Sequence, residues 1–181
     1  MVPNDDSFRE VTSTALMVDS STSLQCHAAS ESATAALGAA LADTLPSGSV
    51  VALSGTLGAG KTHLVQAVAQ ASGVDVGTVV SPTFVLIHEY TTGRRPINHL
   101  DVYRLRDDDE FLELGPDEYF EGPGLTFVEW AEKVERCLPQ QYLKIGIEVT
   151  GATSRRFTIE AIGARYQPVV ERLRLWTSSR G

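Results

Sequence analysis

The chain has 181 residues, of which 43% are hydrophobic and 21% are charged, and its net charge at pH 7 is −8. This length suffices for one compact domain and is too short for two typical ones. No run of 18 apolar residues occurs, and Asp5 and Asp6 stand where a secretory signal carries basic residues. The composition argues against a membrane span and a signal peptide, so we expect a soluble, cytoplasmic protein without membrane contact.

The charge is unevenly distributed along the chain. Residues 151–181 contain six arginines and two glutamates, a surplus of +4, which leaves about −12 on residues 1–150. Tight binding to a nucleic-acid backbone needs clustered Lys and Arg, so we expect no strong direct binding to nucleic acid. The C-terminal arginines are interpreted as a solvated helix face, with a docking surface for an acidic partner as the alternative.

The first predicted elements precede residue 50. Ser and Thr are abundant near the start, which predicts a flexible leader over residues 1–22 and a single ordered domain over residues 23–181. Residues 24–27 form a plausible short strand. An alanine-rich helix follows from residue 30 to about residue 45, where a proline and a glycine would end it.

Residues 55–62 read Gly-Thr-Leu-Gly-Ala-Gly-Lys-Thr, a complete G-x-x-x-x-G-K-[ST] phosphate-binding loop. An apolar run at residues 50–53 precedes it as a buried strand, and helical spacing follows over residues 63–71. The glycines let backbone N–H groups face the phosphates, Lys61 reaches the β and γ oxygens, and the Thr62 hydroxyl can ligate Mg²⁺. The sequence therefore predicts a nucleoside triphosphate site.

The rest of the chain alternates between strand patterns and turns. Strands are predicted at residues 84–90, 97–103, 125–130, 142–149 and 156–162. The last two alternate and are joined by a short link, which favours an antiparallel hairpin at one edge of the sheet, and a helix over residues 165–176 closes the chain. The predicted fold class is α/β, with a mixed, mainly parallel sheet flanked by helices.

Two acidic residues at strand ends are candidates for the chemistry around the loop. Asp101 lies in the run His-Leu-Asp-Val-Tyr, and Glu129 ends the apolar run of residues 125–128. Mg²⁺ needs oxygen ligands, and a γ-phosphate needs a positioned water or acceptor. Each residue alone fits a solvated carboxylate equally well, and the loop makes the functional interpretation the stronger one.

Other polar and aromatic residues near these motifs have two interpretations. Ser81-Pro82-Thr83 is a rigid polar turn where other nucleotide hydrolases keep a segment that senses the γ-phosphate, although an ordinary proline turn also fits. Trp130 is more typical of a packed aromatic than of a nucleotide contact. Histidines 63 and 99 fit structural or hydrogen-bonding roles better than metal ligation, since Mg²⁺ prefers oxygen.

Four segments together resemble a known family. They are Gly-Ala-Gly-Lys-Thr at 58–62, Ser-Pro-Thr-Phe at 81–84, His-Leu-Asp-Val-Tyr-Arg-Leu at 99–105 and Val-Glu-Trp at 128–130. In this order and spacing they resemble the bacterial TsaE family, the small P-loop ATPases of tRNA threonylcarbamoyladenosine biosynthesis. The resemblance spans about residues 24–150; it does not cover residues 1–22 and is loose after residue 150.

The resemblance implies a Mg²⁺-dependent ATPase that supports formation of N6-threonylcarbamoyladenosine, t6A, at position 37 of tRNAs reading codons that begin with A. It implies an accessory subunit that docks on the threonylcarbamoyl transferase subunit and its paralogous scaffold subunit, and resets that complex between turnovers. Direct strong binding to tRNA is not expected, which agrees with the acidic body.

The resemblance also assigns site residues. Lys61, Asp101 and Glu129 would be the catalytic residues, and Thr62, Asp101 and Glu129 would surround Mg²⁺. Ser81 and Thr83 would belong to a switch-like turn, and Trp130 would pack against the site. The nucleotide-binding residues would be Glu31, near the adenine, and Gly58, Ala59, Gly60, Lys61, Thr62 and His63.

Two other functions are weighed against this one. A small-molecule P-loop kinase usually adds a substrate-binding insertion and an arginine-bearing lid, for which Arg94 and Arg95 are the one candidate pair. A docking subunit that binds nucleotide without hydrolysing it remains open. A regulatory GTPase is disfavoured because neither N-K-x-D nor D-x-x-G occurs.

Overall fold

A computed structural model describes residues 11–13, 22–75, 77, 79, 82 and 85–179. These residues form eight strands and five α-helices. The strands are β1 (Val11–Ser13), β2 (Ser23–Ala28), β3 (Val50–Ser54), β4 (Ile87–Tyr90), β5 (Ile97–Asp101), β6 (Leu125–Glu129), β7 (Tyr142–Val149) and β8 (Arg155–Ile162). The helices are α1 (Glu31–Thr44), α2 (Lys61–Ala71), α3 (Asp108–Leu112), α4 (Pro116–Phe120) and α5 (Gln167–Ser178).

All eight described strands belong to one sheet, in the order β1-β2-β8-β7-β3-β6-β5-β4. The four central strands, β7, β3, β6 and β5, are parallel to one another. Each of the other four strands, β1, β2, β8 and β4, pairs antiparallel with its neighbours. The predicted mixed α/β sheet with flanking helices is confirmed, and its parallel part is the centre that carries the loop strand β3.

The predicted hairpin forms from β7 and β8 but lies inside the sheet. Its expected place at the edge is wrong, because β2 pairs antiparallel with β8 from Ser23–Glu160 to Ala28–Arg155 and β1 pairs with β2.

Strand β5 ends at Asp101, two residues earlier than predicted. The chain turns there, since the Asp101 carboxylate accepts a hydrogen bond from the Tyr103 backbone N–H.

Helices α1 and α2 pack together on one face of the sheet, and small residues allow their close approach. A β-carbon added to Gly38 of α1 would lie only 2.4 Å from Cβ of Ala67 in α2. The side chain of Ser30 caps α1 by accepting a hydrogen bond from the Ala33 N–H at 3.1 Å. This packing holds α2, whose first residue is Lys61, at a set distance from the sheet.

The opposite face of the sheet is covered by short elements that periodicity does not predict. Phe111 of α3 is fully buried there with Leu100 and Val128 of the central strands. Helices α3 and α4 have five residues each, which is too short for a helical repeat to be visible in the sequence. Residues of these helices pack with Leu100 of β5 and Val128 of β6 in a second hydrophobic core, separate from the core on the side of α1 and α2.

The predicted leader and the predicted C-terminal helix have different outcomes. Within the predicted leader, Val11–Ser13 forms β1; residues 1–10 and 14–21 lie outside the described residues, so the flexible leader and the domain boundary stay predictions. At the other end, α5 begins at Gln167 after a 3₁₀ turn over Ala164–Tyr166. None of the described helices has the length and apolar character that a bilayer-spanning helix needs.

Two of the C-terminal arginines, Arg165 and Arg174, bind other parts of the domain. Arg165 Nη2 donates to the Ser47 carbonyl at 2.6 Å, and Arg174 Nη2 donates to the Ser23 carbonyl at 2.8 Å. Hydrogen bonds from guanidinium groups to carbonyl oxygens satisfy backbone groups at turns and strand ends. These two arginines therefore join the last segment to the α1–β3 turn and to β2.

Candidate functional site

The phosphate-binding loop connects β3 to α2, and its glycines hold conformations that other residues disfavour. Gly60, the residue before α2, has φ = 105°, and Gly55 has φ = 140°. A β-carbon at Gly55 would lie 2.5 Å from the carbonyl oxygen of Ile147 in β7. The loop therefore fits against the neighbouring strand only with glycine at this position.

Lys61 follows the loop glycines as the first residue of α2, and only 4% of the residue is exposed. Its Nζ donates to the carbonyl oxygens of Gly55 at 2.6 Å and Thr56 at 3.1 Å, and lies 3.6 Å from the centroid of the Trp130 ring. These contacts hold the ammonium group at the base of the loop, and loops of this kind accept anionic phosphates.

Burial lowers the pKa of Lys61 from its ordinary value of 10.5. The carboxylates of Glu129, Glu132 and Asp101 oppose this shift, in that order of size, because negative charge favours the charged ammonium form. The site thus combines one desolvated cation with several acidic groups, a charge arrangement suited to a triphosphate together with a divalent cation.

Glu129 ends β6 and is 3% exposed. Its Oε1 accepts a hydrogen bond from the Thr62 hydroxyl at 2.7 Å, and the His99 Nε2 lies at the same distance from Oε1. Leu53 of β3 is the register partner of Glu129 in the parallel pair. Because parallel strands end at the same edge, the loop after β3 and the acid at the end of β6 are brought together.

Asp101 lies on the next strand at the same edge. It is the register partner of Glu129 in the parallel pair of β5 and β6, and is 2% exposed. The two carboxylates predicted at strand ends therefore lie side by side. Lys133 Nζ donates to the carbonyls that follow Asp101, those of Val102, Tyr103 and Leu105, and so fastens this segment to the turn after β6.

Two cavities flank the loop. The larger one, about 480 Å³, is lined by loop residues 57–60 together with Lys61, Thr62, His63, Gln66, Asp101, Tyr103, Glu129 and Trp130. The smaller one, about 200 Å³, lies beside Gly58–Gly60 and is lined by Glu31, Thr34, His63, Thr153, Arg155 and Phe157. Of the predicted nucleotide-binding residues, Gly58–Gly60 and His63 line both cavities, Lys61 and Thr62 line the larger one, and Glu31 lines the smaller one.

The predicted switch-like turn is only partly described. Ser81 and Thr83 lie outside the described residues, so their role stays a prediction. Pro82 between them is buried, and its carbonyl accepts hydrogen bonds from the backbone N–H groups of Val85 and Leu86. The carbonyl of Leu86 in turn accepts from the Asp101 N–H at 2.9 Å, which fastens the residues after the turn to β5.

Trp130 packs over the larger cavity in an unusual backbone conformation. Its φ is 62°, a left-handed value that is rare for a bulky residue. Its ring contacts both the Lys61 ammonium and the Tyr103 ring, whose centroid is 4.8 Å away. Tyr103 was not among the predicted site residues, although it belongs to the same sequence motif as Asp101.

Arg155 is a second residue that sequence reasoning did not single out. Its Nε donates to the Ala59 carbonyl at 2.7 Å, and its Nη2 lies 3.4 Å from the Gly58 carbonyl. In the sequence it is only one of several C-terminal arginines. Its contact with the loop follows from the position of β8, which begins beside the end of β7 and hence beside the loop after β3.

The donor set suits Mg²⁺. The Thr62 hydroxyl and the Glu129 and Asp101 carboxylates offer hard oxygen atoms, which this ion prefers over nitrogen or sulfur. Among the described residues no group of three or more His, Cys, Asp or Glu side chains could hold a metal ion by itself.

Comparison with known proteins matches residues 28–157 to the family model "Threonylcarbamoyl adenosine biosynthesis protein TsaE". A Bacillus subtilis protein named tRNA threonylcarbamoyladenosine biosynthesis protein TsaE is 45% identical over 126 residues, 70% of this chain and 78% of that protein. A Nostoc protein of the same name is 42% identical over 135 residues, 72% of this chain and 82% of that protein. The crystal structure of Bacillus subtilis YdiB superposes with a TM-score of 0.71 at 35% identity, covering 89% of this chain and 98% of that one.

Proposed function

Since this chain belongs to the TsaE family of threonylcarbamoyl adenosine biosynthesis proteins, with a role in t6A modification of tRNA, we propose that it acts there as a Mg²⁺-dependent ATPase. The observation that carries this proposal is the contact of the Thr62 hydroxyl with Glu129 beside the buried Lys61. A loop lysine, a loop hydroxyl and a strand-end carboxylate are the parts that P-loop hydrolases share.

The residues divide the work of hydrolysis between binding and orientation. Lys61 would hold the β and γ phosphates, and the N–H groups of the loop and of the first turn of α2 would surround them. Thr62 and Glu129 would hold Mg²⁺, and Asp101 would orient the ion or the attacking water. Mg²⁺, when bound, neutralises charge that develops on the transferred phosphoryl group.

The smaller cavity is the proposed place of the nucleoside. Glu31 begins α1 and lines this cavity on one side of the loop with His63 and Arg155, whereas Asp101 and Glu129 line the larger cavity. A nucleotide whose phosphates lie in the loop would extend its base and sugar to that side. The adenine preference itself rests on the family.

The proposed product of ATP hydrolysis is a reset of the transferase complex rather than a phosphorylated substrate. The partners we propose are the threonylcarbamoyl transferase subunit and its paralogous scaffold subunit, in the cytoplasm. An excess of acidic residues over residues 1–150 supports contact with proteins rather than a strong direct hold on tRNA.

A kinase function is disfavoured by the position of its candidate lid pair. Arg94 Nη2 donates to the carbonyl of Ala71, the last residue of α2, and Arg95 Nη1 donates to the Leu45 carbonyl just after α1. The other end of α2, at Lys61, lies about 15 Å away at 1.5 Å per residue. Both arginines thus bind helix ends far from the loop.

The test depletes the protein and quantifies t6A in bulk tRNA by mass spectrometry. We expect t6A to fall and to recover with wild type but not with Lys61→Ala. Normal t6A after depletion would refute the pathway role. ATP hydrolysis by the purified protein with its partners decides between an ATPase and a docking subunit, since a docking subunit would restore t6A without any phosphate release.

A further inference from the structure

His99 lies in the middle of β5 and is fully buried. Its backbone pairs with His88 of β4 on one side and with Phe127 of β6 on the other. The ring Nε2 lies 2.7 Å from Oε1 of Glu129. The other ring nitrogen, Nδ1, has no hydrogen-bond partner among the described residues.

This environment is unfavourable for a histidine that only fills the core. A buried polar side chain costs free energy unless its hydrogen bonds are made, and an apolar residue would fit the same strand without that cost. Here the bond that is made goes to the carboxylate at the centre of the candidate site. A carboxylate that holds a cation only accepts hydrogen bonds, so Nε2 of His99 is the donor of this bond.

Glu129 Oε1 therefore accepts two hydrogen bonds, from residues on two different elements. The Thr62 hydroxyl donates from the loop and His99 donates from β5, each at 2.7 Å. Two donors on one oxygen restrict rotation of the carboxylate and leave Oε2 to act on a cation or a water. The Thr62 hydroxyl would itself turn to a bound Mg²⁺, and His99 would then be the donor that still holds Glu129.

We propose that His99 is a positioning residue, which sets the orientation of the Glu129 carboxylate toward Mg²⁺-nucleotide through its Nε2–H. The proposal rests on the proposed function in that Glu129 is taken as a ligand of the ion. A residue that orients a metal ligand in this way typically changes metal affinity or activity by about 10- to 100-fold when it is replaced.

The first experiment compares three replacements of His99. Calorimetry measures, for each variant, the Mg²⁺ concentration at which ATP binding is half-maximal. His99→Leu fills the buried site with an apolar side chain that has no hydrogen-bond donor. We expect this variant to need at least about 10-fold more Mg²⁺ than wild type. His99→Gln places an amide N–H near the position of Nε2 and should recover most of the loss. His99→Asn places its amide near Nδ1 and should behave like His99→Leu.

A wild-type Mg²⁺ dependence in His99→Leu would overturn the proposal, and so would equal behaviour of His99→Asn and His99→Gln. Thermal unfolding of each variant identifies any that does not fold. If His99→Leu is such a variant, the comparison of His99→Gln with His99→Asn decides alone, because both side chains are polar amides.

The second experiment removes the proposed recipient of the hydrogen bond. In a Glu129→Ala background, His99→Gln and His99→Asn should have the same Mg²⁺ dependence, because the group that His99 orients is gone. A difference of the size measured in the wild-type background would overturn the proposal, since His99 would then act independently of Glu129.

Failure of this proposal and failure of the proposed function are distinguishable. A wild-type protein that binds Mg²⁺-ATP without hydrolysing it, alone or with its partners, would refute the ATPase function, while the binding comparison still decides the role of His99. Hydrolysis by wild type together with unchanged Mg²⁺ dependence in His99→Leu would refute the His99 proposal alone.

Discussion

The Thr62 hydroxyl donates a 2.7 Å hydrogen bond to the carboxylate of Glu129, although the two residues lie 67 positions apart in the chain. Thr62 is the second residue of α2, and Glu129 is the last residue of β6. They meet because β3 and β6 are parallel neighbours and so end at the same edge of the sheet. The phosphate-binding loop and the acidic strand end therefore form one unit.

Replacement of Glu129 should separate turnover from binding. In Glu129→Gln we expect ATP turnover to fall by about 100-fold, because the carboxylate acts where charge develops, while ATP affinity changes by less than about 10-fold. Steady-state hydrolysis and calorimetry measure the two quantities. Glu135→Gln, a surface carboxylate bonded to Lys144 at 3.0 Å, is the control and should match wild type. Equal losses of affinity and turnover, with a lower melting temperature, would indicate misfolding instead.

Replacement of Lys61 should abolish productive ATP binding. The ammonium group is the main charge opposing the triphosphate, and loss of its charge-assisted hydrogen bonds should weaken ATP affinity by about 100-fold or more. Lys144→Ala is the matched control, since Lys144 forms an exposed ion pair with Glu135. Titration of ATP into both variants tests this, and unchanged ATPase activity in Lys61→Ala would contradict the site assignment.

Replacement of Arg155 should make the phosphate-binding loop less rigid. Arg155 is not among the residues predicted to contact the phosphates, so the effect would come from the loop itself. Because its guanidinium donates to the Ala59 carbonyl at 2.7 Å, we expect Arg155→Met to raise the KM for ATP by about 5- to 10-fold, the effect of one hydrogen bond of this kind. Its neighbour Arg156 bonds only to Glu148 in an exposed pair among the contacts described, so Arg156→Met should leave KM within about 2-fold of wild type. Indistinguishable KM values for the two variants would refute a role for Arg155 in the loop.

Cys26 should make the fold sensitive to alkaline pH. Burial raises the pKa of its thiol from the ordinary 9.0 to about 12, so the folded state keeps the proton that the unfolded state loses. This contribution to stability is complete below pH 9 and is lost as pH rises from 9 toward 12, by about 1.4 kcal/mol per pH unit at most.

Urea unfolding of wild type and Cys26→Ala between pH 8 and pH 11 measures this effect. The variant should lose less unfolding free energy per pH unit above pH 9, whatever its stability at pH 8. Parallel declines in the two proteins would show that the Cys26 thiol does not carry the alkaline loss.

Local features were predicted well where they depend on neighbours in the chain. The hairpin strand Tyr142–Val149 has the predicted bounds, and the loop at residues 55–62 connects a strand to a helix as its motif requires. Alternation and glycine spacing act over a few residues, so they are readable without the tertiary structure. The helix α3 and the end of β5 at Asp101 were not predicted, because each is set by side-chain contacts within a short turn.

By itself, the sequence determined that this chain has a phosphate-binding loop, acidic residues at two strand ends and the motifs of its family. Only the tertiary structure decided which residues surround that loop. Strand order brings Arg155 to Ala59 across 96 positions and His99 to Glu129 across 30, and strand order is a property of the whole sheet. No pattern along the chain marks such contacts, because their free energy depends on burial that exists only after folding.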